Sequence, residues 1–245
     1  MEIVPNSWFE TCIYRLEKER EAGCFHASEL WNCPRRLILS YLGYKINWPL
    51  KVLQRMALGQ WLHRSLLEDL VQTLNSMYSD KKLESEVSID CPQYKIKGTA
   101  DLILTSHAEP STLIELKTVV RKQLSPSWIY QVEAYSRCLE PQEPVNVQLW
   151  LLNRITGDLE VFYYKQDNEI WNNILKKIAL VEDCLETNQM PPMAFDPTFE
   201  IKEISDCNCQ TCPLYQSCIL CYSPEINLLI EEALENNLIK RGEQK

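Results

Sequence analysis

The chain has 245 residues, a net charge of −9, 45% hydrophobic residues and 24% charged residues. This composition is ordinary for a globular protein with one large domain, and the negative charge argues against binding of nucleic acid over the whole surface. No stretch approaches the roughly 18 apolar residues of a membrane span, and the start, MEIVPNSWFE, lacks signal-peptide features. We therefore expect a cytoplasmic protein without a membrane partner.

Hydrophobic periodicity predicts the first elements in chain order. A short helix is predicted within 1–23, and a second at 25–44, which Ser28 caps and Pro34 kinks or breaks. A third helix covers 51–77. The period then becomes that of β-structure, and three strands are predicted, at 86–90, 94–104 and 111–120.

The second half of the chain continues the alternation. A helix is predicted at 125–139, a two-stranded hairpin at 145–152 and 159–165, and an amphipathic helix at 168–187. The tail, 223–245, has a proline near its start and is predicted to be a last helix. This order predicts an α/β (mixed α+β) fold, with a central mixed β-sheet flanked by helices.

The stretch DLILTSHAEPSTLIELK, residues 101–117, places charges inside apolar strands. A turn at 107–110 in a symmetric antiparallel hairpin would set Asp101 opposite Glu115, with Cβ atoms about 5 Å apart. Lys117 shares the face of Glu115 because strand side chains alternate. Two carboxylates so close are tolerated if a cation lies between them or if one of them is protonated, and oxygen ligands at this distance suit Mg²⁺ or Mn²⁺. The alternatives are a surface salt bridge, or a one-residue slip that separates the acids.

Three further motifs surround this hairpin. G-x-x-x-H occupies 59–63 before the predicted sheet, GTAD occupies 98–101, and Q-x-x-x-Y occupies 131–135 after the last of the three strands. In this order, the motifs resemble the signature of the RecB-like branch of the PD-(D/E)xK nuclease superfamily, with Ala100 at the position of the family's proline. The resemblance implies a restriction-endonuclease-like core.

The resemblance also implies roles for single residues. His63, Asp101 and Glu115 would be ligands of Mn²⁺ or Mg²⁺, with the carbonyl of Leu116 as a further ligand. Lys117 would be the catalytic lysine, acting with the two carboxylates. Gln131 and Tyr135, on the helix after the third strand, would support the site or contact the DNA backbone.

Of the 11 cysteines, five lie between 207 and 221: Cys207, Cys209, Cys212, Cys218 and Cys221. A distant Cys33 followed by C-x₂-C-x₅-C resembles the iron–sulfur nucleases of the same branch, above all the CRISPR-associated RecB-like exonuclease family. The resemblance implies a [4Fe–4S] cluster on Cys33, Cys209, Cys212 and Cys218. A Cys₄ zinc site stays open as an alternative, and Cys207 or Cys221 could replace one of these ligands.

Four segments follow from these predictions: an N-terminal helical segment, 1–23; a RecB-like nuclease core, 24–206; an iron–sulfur cysteine region completed by Cys33, 207–221; and a C-terminal helix, 222–245. The resemblance implies a metal-dependent DNA exonuclease acting on single-stranded ends in CRISPR adaptation, an antiviral defence, beside the CRISPR integrase and with an oligomer possible. A phage or general recombination nuclease, and a non-catalytic DNA-end or integrase-docking subunit, are the alternatives.

Basic and aromatic side chains that could line a groove for single-stranded DNA are scattered along the chain. The candidates are Arg35, Arg36, Trp61, Arg64, Lys95, Lys97, Arg121, Lys122, Trp128 and Tyr130.

Overall fold

The computed structural model describes residues 21–43, 50–77, 81–106, 110–120, 123–139, 145–187 and 189–191. Its strands are β1 (Phe25–His26), β2 (Lys81–Cys91), β3 (Ile96–Ser106), β4 (Ser111–Val119), β5 (Val145–Asn153) and β6 (Leu159–Tyr164). Its α-helices are α1 (Pro34–Tyr41), α2 (Leu50–Met77), α3 (Pro126–Leu139) and α4 (Asn168–Thr187). The predicted C-terminal helix and the cysteine region 207–221 lie outside the described residues.

The six strands form one mixed sheet, in which β3 has three partner strands. β2 pairs antiparallel with β3 along one edge, from Lys81–Ser106 to Cys91–Ile96. Two strands share the other edge of β3: β1 pairs parallel at 96–97, and β4 pairs antiparallel at 102–104. Beyond β4 the sheet continues with parallel β5 and antiparallel β6. Residues 98–101 of β3 thus lie in a gap between two partner strands.

Helices cover both faces of the sheet. α1, α3 and α4 enclose the larger core, to which Leu113 of β4 belongs. α2 lies over the opposite face, where Leu67 packs with Ile114 and Leu116 of the same strand. β4 is therefore buried on both faces, which explains its nearly continuous apolar sequence. The predicted fold class, a mixed α/β protein with a central mixed sheet between helices, is confirmed.

The helix predicted at 25–44 is wrong in its first half. Phe25 and His26 form β1, a 3₁₀ turn follows at Ala27–Glu29, and α1 begins only at Pro34. A proline suits the first turn of a helix, where its missing N–H costs nothing, and breaks the interior. The first predicted strand is also longer than expected, since β2 spans 81–91 rather than 86–90. None of the described helices is both long enough and apolar enough for a bilayer.

Gly59, the glycine of the G-x-x-x-H motif, lies in α2 with open space around it. A Cβ built there would meet nothing within 4 Å. Alanine restricts the unfolded backbone more than glycine does, so Gly59→Ala is expected to raise the free energy of unfolding by about 0.5–1 kcal/mol. Urea denaturation measures this change, and a loss of stability would mean that a neighbour occupies the space.

Candidate active site

The hairpin of β3 and β4 has the predicted register. Leu102 lies opposite Ile114, and Leu104 lies opposite Thr112. The observed pairs end at Leu102 and Ile114, one position short of Asp101 and Glu115, so the pairing of these two acids stays a prediction. The residues of the turn at 107–109 lie outside the described part of the chain.

Asp101 joins three elements. Its Oδ1 lies 3.0 Å from Nε2 of His63 on α2, and its Oδ2 accepts a hydrogen bond of 2.8 Å from the backbone N–H of Leu116 on β4. The carboxylate thus takes a backbone donor of β4 where the ladder of β3 and β4 stops. Two of the predicted ligands, His63 and Asp101, are in direct contact.

The pleat of the sheet inverts beside Asp101. Ala100 belongs to the core under α3, whereas Leu102 belongs to the core under α2, although residues two apart share a face in a regular strand. The same change separates Leu83 from Val87 on β2. Glu86, between them and opposite Asp101, has a left-handed backbone with φ 51°. Such a conformation costs a non-glycine residue about 1–2 kcal/mol. It lies where the side chains of β2 and β3 both switch from one face of the sheet to the other.

Glu115 and Lys117 lie on the α3 side of β4. Nζ of Lys117 donates a hydrogen bond of 2.5 Å to Oε1 of Glu115 and one of 3.2 Å to Oε1 of Gln131 on α3. Glu115 is only 1% exposed. Its second oxygen, Oε2, is buried and has no hydrogen-bond partner among the described residues. Lys117 is therefore held between a strand carboxylate and a helix amide.

Tyr135 links this helix amide to the gap in β3. Its hydroxyl accepts hydrogen bonds from Nε2 of Gln131 at 3.0 Å and from the N–H of Thr99 at 3.3 Å, and it donates one of 3.0 Å to the carbonyl of Thr99. The hydroxyl thus satisfies the backbone N–H and C=O of Thr99, which a neighbouring strand would otherwise pair. Gly98 makes room for the ring, because a Cβ there would lie 2.5 Å from Cε1 of Tyr135. Gln131 and Tyr135 are both buried, which favours a supporting role over DNA contact.

Glu115 and His63 both have pKa values above their ordinary values. Burial, countered in part by Lys117, raises the pKa of Glu115 to about 7, and the charge of Asp101 adds to the rise. For His63, burial lowers the pKa, but the hydrogen bond and charge of Asp101 outweigh burial and leave it raised. Electrostatic interactions therefore couple four side chains: His63, Asp101, Glu115 and Lys117.

The metal-free protein is expected to lose stability as pH rises between about 4.5 and 7. Glu115 binds its proton more tightly in the folded state, with a pKa of about 7, than in the unfolded state, where the value is 4.5. The unfolded state ionises first, so the free energy of unfolding falls across this window, by about 1–3 kcal/mol. His63 acts in the same direction, because the stability from its raised pKa is lost as pH rises through the folded value.

Urea denaturation in a chelator at pH 5 and pH 7.5 measures this loss. Glu115→Gln keeps the size of the side chain but cannot ionise, so most of the slope should disappear in that variant. A parental protein that is equally stable at both pH values would contradict the burial of an ionisable Glu115.

The predicted metal ligands contact other side chains in this structure. Within the described residues, no group of three or more His, Cys, Asp or Glu side chains has the spacing needed to hold a metal ion. His63 pairs with Asp101, and Glu115 pairs with Lys117. The donor set nevertheless fits a hard divalent ion, because it offers an imidazole and two carboxylates, and Oε2 of Glu115 is buried and unsatisfied among the described residues.

Arg64 and Glu86 form an exposed ion pair beside His63 and Asp101. Arg64 follows His63 on α2, and its guanidinium Nη2 lies 3.3 Å from Oε1 of Glu86. Both side chains are about half exposed, so the pair adds little stability. No sequence pattern marked Glu86, because its importance comes from the backbone inversion opposite Asp101.

Several predicted DNA-contacting side chains are engaged elsewhere. Arg35 and Tyr130 are buried, so their prediction as groove residues was wrong. Lys95 forms an ion pair with Glu182, and Lys97 forms pairs with Glu21 and Asp90. Their charges are thus largely neutralised by neighbours. Trp61 keeps 53% of its surface exposed two residues before His63, and Arg121 and Lys122 lie outside the described residues.

Cys33 is buried at the N-terminal cap of α1, and two long-range contacts fix its surroundings. Lys177 of α4 is 1% exposed, and its Nζ donates to the carbonyls of three consecutive residues before Cys33, at 3.1, 3.0 and 3.4 Å. Nε of Arg35 donates a hydrogen bond of 2.5 Å to the carbonyl of Pro191. Pro191 is therefore held against the start of α1, the helix that Cys33 precedes. The other predicted cluster ligands, Cys209, Cys212 and Cys218, lie outside the described residues.

Comparison with known proteins bears on the fold. No protein-family model matches the sequence, and no curated protein sequence matches it. The structure is similar to the crystal structure of SSO0001, with 19% identity, a TM-score of 0.53 and coverage of 84% of this chain and 91% of that chain. At this identity the similarity shows a shared fold alone.

Weaker similarity exists to an alkaline exonuclease, LHK-Exo, from Laribacter hongkongensis. It has 12% identity and a TM-score of 0.46, and its complex with dAMP has 15% identity and a TM-score of 0.47; each covers 74% of this chain and 93% of the other. At these scores neither adds to the argument. The chain therefore has a mixed α/β fold with a central mixed sheet between helices, in which His63 and the backbone of Leu116 contact Asp101.

Proposed function

We propose that this chain is a metal-dependent DNA nuclease whose active site lies between α2, β3, β4 and α3. The observation that supports this most is a pair of side-chain contacts, one imidazole–carboxylate and one lysine–carboxylate, that are linked through the hydrogen bond from Leu116 N–H to Asp101. His63 contacts Asp101, and Lys117 contacts Glu115, while one buried oxygen of Glu115 has no hydrogen-bond partner among the described residues. A salt-bridged surface patch would not bury a carboxylate in this way.

In this proposal His63, Asp101 and Glu115 hold Mn²⁺ or Mg²⁺, with the Leu116 carbonyl as a further ligand. The ion would supply a bound water of lowered pKa and would neutralise charge on the scissile phosphate. Lys117, fixed by Glu115 and Gln131, orients the attacking water by a hydrogen bond from its ammonium group.

The finer activity that we propose is exonuclease action on single-stranded ends. End-labelled single-stranded and double-stranded DNA, incubated with Mn²⁺, Mg²⁺ or EDTA, tests it. We expect stepwise shortening of single strands with either ion and none with EDTA. Internal cuts would point to an endonuclease. Binding without cleavage under every condition would favour the non-catalytic alternative, a DNA-end or integrase-docking subunit.

We further propose that Cys33 joins Cys209, Cys212 and Cys218 in a [4Fe–4S] cluster. The contact of Arg35 with Pro191 supports this, because it holds the last described residue of the chain near the segment that carries Cys33. Four thiolates that tie distant parts of a chain together stabilise a fold through the cluster. Anaerobic purification should give a brown protein with about four iron atoms per chain, which dithionite bleaches. A colourless protein that contains zinc would replace the cluster by a Cys₄ zinc site.

The pathway that we propose is CRISPR adaptation, in which the nuclease trims DNA before integration. Co-purification with the integrase encoded in the same genome tests it. A stable complex supports the proposal, and its absence favours the phage or general recombination nuclease.

A further inference from the structure

A cleft lies directly beyond the proposed active site, where β4 ends and the chain turns into α3. It is a shallow depression, wide open to solvent, with a volume of about 500 Å³. Its walls include Thr118, Val119, Gln123, Leu124, Ser125 and Trp128. None of the catalytic roles proposed above uses these residues.

The cleft is one step from Lys117 along two elements. Val119 lies two residues beyond Lys117 on β4, about 6.6 Å along a strand. Trp128 lies three residues before Gln131 on α3, about 4.5 Å along a helix and on the same side of it. Gln131 is the residue that contacts Nζ of Lys117. A group bonded to the reacting phosphate would therefore reach the cleft without leaving the site.

The lining has the chemistry of a nucleobase site. Trp128 is half-buried against the main core, which fixes its ring while part of it lines the cleft. Leu124 and Val119 add apolar surface, and the side chains of Gln123 and Ser125 offer hydrogen-bonding groups. An aromatic ring beside polar groups is how proteins stack and orient an unpaired base.

The charge around the cleft suits a phosphodiester strand. No aspartate or glutamate belongs to the described residues that line it, although the whole chain carries −9. Lys117 lies next to Thr118, and the backbone N–H of Arg154 donates a hydrogen bond of 2.9 Å to the carbonyl of Val119. The described residues that line the cleft thus add no carboxylate charge that would repel a phosphodiester strand.

We propose that this cleft holds the base of the nucleotide next to the scissile phosphate, stacked on Trp128. This proposal rests on the proposed nuclease function and adds to it a binding position for an unpaired base of the substrate strand. Because every base has an aromatic face, this grip works on any sequence. It also requires an unpaired base, and so it favours single-stranded over double-stranded DNA.

Substrates that lack one base test this grip without altering the protein. In single-stranded oligonucleotides, an abasic residue is moved one position at a time past the scissile phosphate, and kcat/KM is measured with Mn²⁺. We expect one position at which the missing base lowers kcat/KM about 5- to 100-fold, the range of one lost stacking contact. Trp128→Leu should be insensitive at that position. Trp171→Leu, a matched change at a tryptophan that packs on Tyr94 instead, should keep the sensitivity.

Direct binding gives a readout that does not need catalysis. An oligonucleotide with 2-aminopurine at the sensitive position, or at each position in turn, is bound to the Lys117→Met variant, and its fluorescence is recorded. Quenching that disappears in Lys117→Met/Trp128→Leu supports the cleft, even if the parent chain never cuts DNA and the proposed function fails. Normal cleavage with no sensitive position, or quenching that survives Trp128→Leu, overturns the cleft alone. If the protein shows neither cleavage nor quenching, both the cleft and the proposed nuclease function are overturned.

Discussion

Replacing Asp101 by asparagine is expected to lower DNA cleavage at least about 10³-fold while the protein stays folded. Asparagine has the shape of aspartate, and its carbonyl oxygen can still accept the hydrogen bond from Leu116 N–H. It lacks the negative charge that a divalent ion requires. Lys117→Met should have a similar effect, because it removes the ammonium group fixed between Glu115 and Gln131.

Cleavage of end-labelled DNA in Mn²⁺ measures the loss, and urea denaturation verifies the fold. Lys82→Met is the matched control, since it removes a lysine that pairs with Glu84 on the exposed surface of β2. That variant should cut at the parental rate. If Asp101→Asn or Lys117→Met does so too, the active site is not at this hairpin.

Gly98→Ala is expected to destabilise the protein by about 2–4 kcal/mol and to lower cleavage as well. The new Cβ would lie 2.5 Å from Cε1 and 2.8 Å from the hydroxyl oxygen of Tyr135, whose ring is buried and has no room to withdraw. Overpacking of this kind costs about 1–3 kcal/mol, and a displaced hydroxyl leaves Thr99 and Gln131 without their partner.

Thermal and urea denaturation measure the effect, with Gly59→Ala as the matched control for the same substitution in open space. A double-mutant cycle sharpens the result. In a Tyr135→Leu background, Gly98→Ala should cost much less, because the clashing ring is gone. A Gly98→Ala protein as stable as the parent would place the Tyr135 ring elsewhere.

The sequence predicted those parts of the fold in which local periodicity and burial agree. The helix at 168–187 is present with the predicted bounds, because its apolar residues recur at one helical spacing. The register of β3 and β4 followed from the midpoint of the hairpin, since the pairing of two strands around a short turn is a matter of counting.

Other features depend on contacts between distant segments and could not be predicted. β1 has two residues and exists because Phe25 N–H donates to the carbonyl of Lys95. Lys177 occupies a buried position that its sequence neighbours, on an amphipathic helix, would assign to an apolar residue. The left-handed backbone of Glu86 is imposed by the inversion of two strands. The metal and cluster roles of the motif residues stay predictions.

The bond between Thr99 and Tyr135 has a consequence for the local dynamics of the protein. The amide proton of Thr99 is held by a side chain of α3, whereas most strand amides of the sheet are held by other strands. Its exchange with deuterium should therefore report how often α3 lifts from the sheet, independently of any separation of the strands. Since the same helix carries Gln131, this one amide proton would measure how long Lys117 keeps its alignment.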